Sequence, residues 1–231
     1  MHFQGGESYG QQNPENSYQL KFITVGDSSV GKSSIMLRFS QNSFNPNLHT
    51  TIVVEYLQKH LIYNNTDYLI QIFDTAGQEE YQSITRTYFR SSAVALLVYD
   101  ITNEDSFRNI QIWLENCKNF GPRTILLVLI GNKSDLEDKR VVTKERGEEF
   151  ANENDMIFFE TSAFSGNGVQ EAFQNIIEVM DKKIKSGFYD LRDSVDIGVK
   201  KIKMSNNNAG EIKIDKAALT EGNKKKKKKF C

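Results

Sequence analysis

Phe22 to Ser33 reads F-I-T-V-G-D-S-S-V-G-K-S. An apolar run ends at a glycine, Gly26 to Ser33 matches G-x-x-x-x-G-K-[ST], and a helical pattern follows at Ile35, Met36 and Phe39. A strand, a glycine-bearing loop and a helix in that order make a phosphate cradle. Backbone amides of Gly26, Asp27, Ser28, Ser29, Val30, Gly31, Lys32, Ser33 and Ser34 can turn toward phosphate oxygens, and the helix N-terminus adds its dipole. Lys32 is placed to reach the β and γ phosphates, and the Ser33 hydroxyl to bind Mg2+. The motif implies a nucleoside phosphate without saying which.

Working outward, strands and helices alternate. The first strand begins at Tyr18. Val54 to Tyr63 and Asp67 to Phe73 are β-rich and joined by Asn64-Asn65-Thr66, a hairpin signal. A-V-A-L-L-V-Y-D (93–100) and T-I-L-L-V-L-I-G (124–131) are continuous apolar runs, suited to parallel strands buried on both faces. Between them Thr102, three residues ahead of Asp105, predicts a capping-box-like helix start. Phe107, Ile110, Trp113, Leu114 and Cys117 then recur at helical spacing. A helix over Lys144–Asn152, a strand over Met156–Glu160 and a helix over Val169–Ile184 complete the pattern. The expected fold is α/β, a six-stranded, mainly parallel sheet with helices on both faces. The expected organisation is a disordered N-terminal arm over 1–17, one domain over 18–185 and a flexible tail over 186–231.

Composition narrows the function. The net charge of −1 includes the six positive charges of Lys224 to Lys229, so the remainder of the chain carries −7. An acidic body with a basic end points to an interaction tail; without interleaved aromatics or arginines, nucleic-acid binding is not expected of it. Two distant cysteines, Cys117 and Cys231, offer neither a disulfide framework nor a zinc site. No apolar stretch is long enough to predict a membrane-spanning helix.

G-N-K-S-D (Gly131 to Asp135) and E-T-S-A (Glu160 to Ala163) each follow an apolar strand, at the rim where open α/β sheets bind ligands. The Asp135 carboxylate there can accept from guanine N1 and its exocyclic amine, a donor pair adenine lacks. Taken with D-T-A-G-Q-E (Asp74 to Glu79), the motifs resemble those of the Ras-superfamily small GTPases over about Tyr18 to Lys185. L-V-Y-D-I-T (97–102), I-T-R-T-Y-F-R (84–90) and T-I-V-V-E-Y (51–56) are most similar to the Rab branch.

The resemblance implies a P-loop GTPase (G domain). Lys133 would pack over the base and Asn132 brace its loop. Ser162 and Ala163 would line the base pocket, Ala163 through its amide, and Phe44 would edge onto the guanine. Asp74 and Thr51 would join Ser33 around Mg2+. Gly77 would donate to the γ-phosphate and Gln78 orient the attacking water, so that Gln78, Lys32 and Gly77 carry the catalysis. Tyr56, Phe73 and Tyr88 match three effector-facing aromatics. Val53, Phe73 and Phe164 depart from the family pattern, where glycine, tryptophan and lysine are usual.

The implied partners are an exchange factor, a GTPase-activating protein, effectors and a prenyl chaperone or GDP-dissociation inhibitor, acting on a monomer. Lys224 to Lys229 predict attraction to an anionic membrane surface, and Cys231 is the candidate lipidation site, placing the protein on the cytosolic face of a membrane. An unmodified thiol on a solvated tail is the alternative, since Rab proteins mostly end in two cysteines. Three rival functions stand beside the traffic reading: a P-loop kinase, which G-N-K-S-D disfavours; a Ras-like signalling GTPase; and a nucleotide-locked scaffold.

Overall fold

The computed structural model describes residues 14–46, 55–74, 88–191 and 197–203. β1 (Asn16–Val25) begins two residues before the expected Tyr18 and leads into α1 (Lys32–Gln41). β2 (Glu55–Tyr63) and β3 (Thr66–Asp74) form an antiparallel hairpin in the register Tyr63↔Thr66. Asn64 and Asn65 both take positive φ (46° and 58°), as a two-residue turn matched to strand twist requires. β4 (Val94–Asp100), β5 (Leu126–Asn132) and β6 (Ile157–Thr161) extend the sheet on the other side of β1. The order is β2-β3-β1-β4-β5-β6, and β3, β1, β4, β5 and β6 are mutually parallel.

The continuous apolar runs divide by parity. Leu20, Phe22, Val94, Leu96, Val98, Val128 and Ile130 face α1 and α5 (Val169–Lys185). Ile23, Val25, Ala95, Leu97, Tyr99 and Leu129 face the other side, against α2 (Glu104–Arg108), α3 (Ile110–Phe120) and α4 (Lys144–Glu153). Burial on both faces is why β4 shows no alternation in its sequence: all seven of its residues are buried. On α5, Val169, Ala172, Phe173, Ile176, Ile177, Met180 and Ile184 form the buried stripe, each large side chain worth roughly 1.5–3 kcal/mol of apolar burial. Phe173 stacks on Phe39 of α1 with ring centroids 3.7 Å apart.

Two expectations are corrected. The helix after β4 is capped by Asn103, not Thr102: the Asn103 side chain accepts from the amides of Asp105 and Ser106. Thr102 instead donates through its amide and hydroxyl to the Asp100 carboxylate, the nearer and stronger acceptor. The other correction concerns the end of the folded pattern at Lys185, past which the expected six-stranded sheet is extended at one edge. α5 closes with paired hydrogen bonds from Gly187 N to Ile184 O and Phe188 N to Lys183 O, Tyr189 is buried, and a seventh strand, β7 (Val199–Ile202), pairs antiparallel with β1.

β7 forms because β4 pairs with β1 only from Phe22 onward, which leaves Ser17 to Leu20 an open edge. Only Val199 of V-K-K-I is fully buried and both lysines are exposed, so the strand carries no periodic signal of its own.

Candidate functional site

Because β1, β3, β4, β5 and β6 are parallel, their carboxyl ends share one rim. β1 lies where the order reverses, between β3 and β4, so the phosphate-cradle sequence Gly26–Ser33 occupies the switch point. Gly31 (φ 99°) lies so close to the G-N-K-S-D loop that a Cβ would come within 2.3 Å of Asn132 Nδ2. Asn132 is buried and joins three segments. Its Nδ2 donates to Val30 O (2.8 Å), and its Oδ1 accepts from Thr161 Oγ1 (3.2 Å) and Ala163 N (3.2 Å). Asn132 thus links the phosphate-cradle sequence to the E-T-S-A loop, and the Ala163 amide expected at the base donates to it.

The Lys32 ammonium, buried at the head of α1, donates to Gly26 O (2.8 Å) and Asp27 O (2.6 Å). Burial lowers its pKa, opposed by the nearby carboxylates of Asp74 and Asp27. Asp74 ends β3 with no exposed surface; its carboxylate accepts from Thr24 Oγ1 (2.9 Å) and from the Ser33 hydroxyl in a close contact. A buried carboxylate oxygen and a hydroxyl beside a phosphate loop form a hard donor set. It suits Mg2+, which takes few protein oxygens and completes its shell with water and phosphate.

At the base end, Asp135 is exposed and its Oδ1 accepts from Ser162 Oγ at 2.5 Å, while Ser162 Oγ also takes the Ser165 amide (3.0 Å). Lys133, at φ 67°, extends its ammonium to Asp100 Oδ2 (2.6 Å). Phe44, half-buried after α1, meets Phe164 edge-on at 5.3 Å. Tyr56, Phe73 and Tyr88 come together as a row, with centroids 4.9 Å and 5.5 Å apart. Gly77, Gln78, Thr51, Val53, Cys231 and the lysine run lie outside the described residues.

Several supporting residues escape a motif reading. Asp27 accepts from Asn109 Nδ2 (2.7 Å) and Trp113 Nε1 (2.9 Å), which ties the cradle to α3. Asp100 holds Lys133, and Arg140 grips Glu160 of E-T-S-A through both terminal nitrogens (2.6 and 3.0 Å). Hydrogen bonds to Glu137 and then Glu160 raise the Arg140 pKa further. The only sequence signal for these was polarity at strand ends and on a helix face. A family model describing the Ras family matches residues 21–182, more than half of the chain.

Proposed function

The chain belongs to the Ras family, and from that premise we propose that it is a GTP hydrolase working as a membrane-recruited switch, with a Rab-like role in vesicle traffic. Ras-family proteins bind GTP and GDP, and exchange factors, activating proteins and effectors generally act on them. The observation that carries the reading for this chain is the meeting on one rim of Lys32, the Ser33–Asp74 pair and the Asp135–Ser162 pair.

The base would lie between Phe44 and the Asp135 carboxylate, with Lys133 held alongside by Asp100 and the loops joined through Asn132. Phosphates would take the amides of Gly26 to Ser34 and the ammonium of Lys32. Ser33, Asp74 and Thr51 would hold Mg2+, which when bound offsets charge on the β and γ phosphates. Gln78 would orient a water toward the γ-phosphorus and the Gly77 amide would donate to the γ-phosphate. The new P–O bond forms as the bond to the β–γ bridging oxygen breaks, releasing GDP and phosphate. No arginine of this chain stands at a motif position to add charge at that step. Intrinsic turnover is therefore expected at about 10⁻⁴ to 10⁻² per second, accelerated by a partner that supplies an arginine.

The Rab-like part of the reading is supported by the row of Tyr56, Phe73 and Tyr88, three adjoining, partly buried rings that effectors would read. A prenyl chaperone or GDP-dissociation inhibitor would handle a lipid on Cys231.

Competition binding and single-turnover hydrolysis test the proposal together. GTP is expected to outcompete ATP by at least about a thousandfold, because ATP leaves the polar base site unmatched. Gln78→Leu is expected to slow hydrolysis at least about tenfold with GTP binding intact. Equal affinity for ATP would remove the GTPase assignment, and an unchanged rate would remove Gln78 from its role.

A further inference from the structure

The loop that fixes Asp135 is tied to the chain carrying Phe44 by two independent contacts. One is a guanidinium. Arg38, in the last turn of α1, donates from Nε to Ala163 O (2.9 Å), from Nη2 to Phe164 O (2.6 Å) and from Nη1 to Asn42 O (3.0 Å). It therefore bridges the E-T-S-A loop and the segment that leaves α1 toward Phe44. Gly166 lies against the same side chain, its Cβ position 3.4 Å from Arg38 Cδ. The other contact is aromatic. The Phe164 ring meets the Phe44 ring at 5.3 Å and 88°, the edge-to-face geometry in which a positive ring edge faces a negative ring face. Phe164 remains 63% exposed, so its ring is not held there by a core.

We propose that Phe164 is a positioning residue for the nucleotide: with Arg38 behind it, it holds Phe44 in place beside the base and slows nucleotide release. This rests on the reading that the base lies against Phe44. A phenyl at this position braces Phe44 through its ring, whereas the lysine usual in the family offers only a flexible stem and a charge that seeks water. The pair links the base-reading loop to α1, the helix that carries Lys32 and Ser33. Loosening it would let Phe44 swing away without disturbing the phosphate contacts. The effect belongs to the rate of release, not to the rate of binding.

The full-length protein loaded with a fluorescent N-methylanthraniloyl-GDP and chased with excess GDP reads this directly. Phe164→Ala and Phe164→Lys are expected to release nucleotide about 3- to 10-fold faster at an unchanged association rate, and Phe164→Tyr to remain within about twofold of the parent. In a Phe44→Leu background, Phe164→Ala is expected to add nothing, because its partner is gone. Release from Phe164→Ala at the parent rate would overturn the proposal. So would an equal acceleration in the Phe44→Leu background, which would mean that Phe164 touches the nucleotide itself. Failure of the parent protein to bind any guanine nucleotide would overturn the GTPase reading and this inference with it.

Discussion

Lys21 stands at a junction. Its amide donates to Gly198 O beside β7 (2.9 Å), and its ammonium donates to Arg90 O (2.9 Å) and Ser91 Oγ (3.4 Å). The same ammonium lies over the rings of Phe73 (5.1 Å) and Tyr88 (5.9 Å), two of the three aromatics proposed to face effectors. Partial burial lowers its pKa from 10.5 to about 8. Between those values the unfolded chain binds the proton that the fold has released, so the contribution of Lys21 to stability rises with pH across that window. Urea unfolding of the parent and of Lys21→Met should therefore diverge in favour of the parent as pH is raised from about 7 to about 10. A difference that stays constant with pH would show that Lys21 keeps its ordinary titration in the fold.

Among the elements, β7 is the one whose existence depends wholly on another. It has four residues and one fully buried side chain, Val199, and it persists because Ser17 to Leu20 offer unpaired backbone groups. Gly198, just before it, takes φ 68°, and a Cβ there would come within 2.2 Å of Ala93 N, so the chain enters the strand through a space that admits only glycine. Val199→Asp would bury an unpaired carboxylate, and detachment of β7 is the expected outcome, at a cost of about 1–3 kcal/mol. Amide hydrogen exchange reports it: the Lys21 amide should lose protection while amides at the β1–β3 pairing keep theirs. Retained protection at Lys21 would mean that the strand tolerates the charge.

For the whole molecule, the direction of β7 matters. It runs antiparallel to β1, with Ile202 opposite Ser17, so Lys203 lies toward the end of the sheet opposite the phosphate-loop rim. On the proposed function, the residues after Lys203 would meet a membrane at that end while the rim and the aromatic row meet partners. Each lysine near an anionic surface is worth about 1 kcal/mol, and lasting attachment needs a lipid as a second signal. Cys231→Ser is accordingly expected to move the intact protein from membranes to the soluble fraction, read by fractionation or imaging. Unchanged membrane association would assign attachment to the lysines or to a protein partner.

The phosphate loop, the hairpin, the apolar central strands and the stripe of α5 were all legible in the sequence, because each rests on local geometry or on a period imposed by burial. The sequence alone also determined the guanine reading, since G-N-K-S-D and E-T-S-A carry their meaning in residue type and in their place after strands. Tertiary structure decided what depends on a partner distant in the chain. Asp27 is held by Trp113 86 positions away, Arg38 meets Ala163 across 125, and Lys133 turns to Asp100. β7 is a strand only because β4 leaves part of β1 unpaired. A polar side chain has no period that announces its acceptor, and a short edge strand has no pattern apart from the edge it completes, so both were settled only once the sheet had brought its loops together.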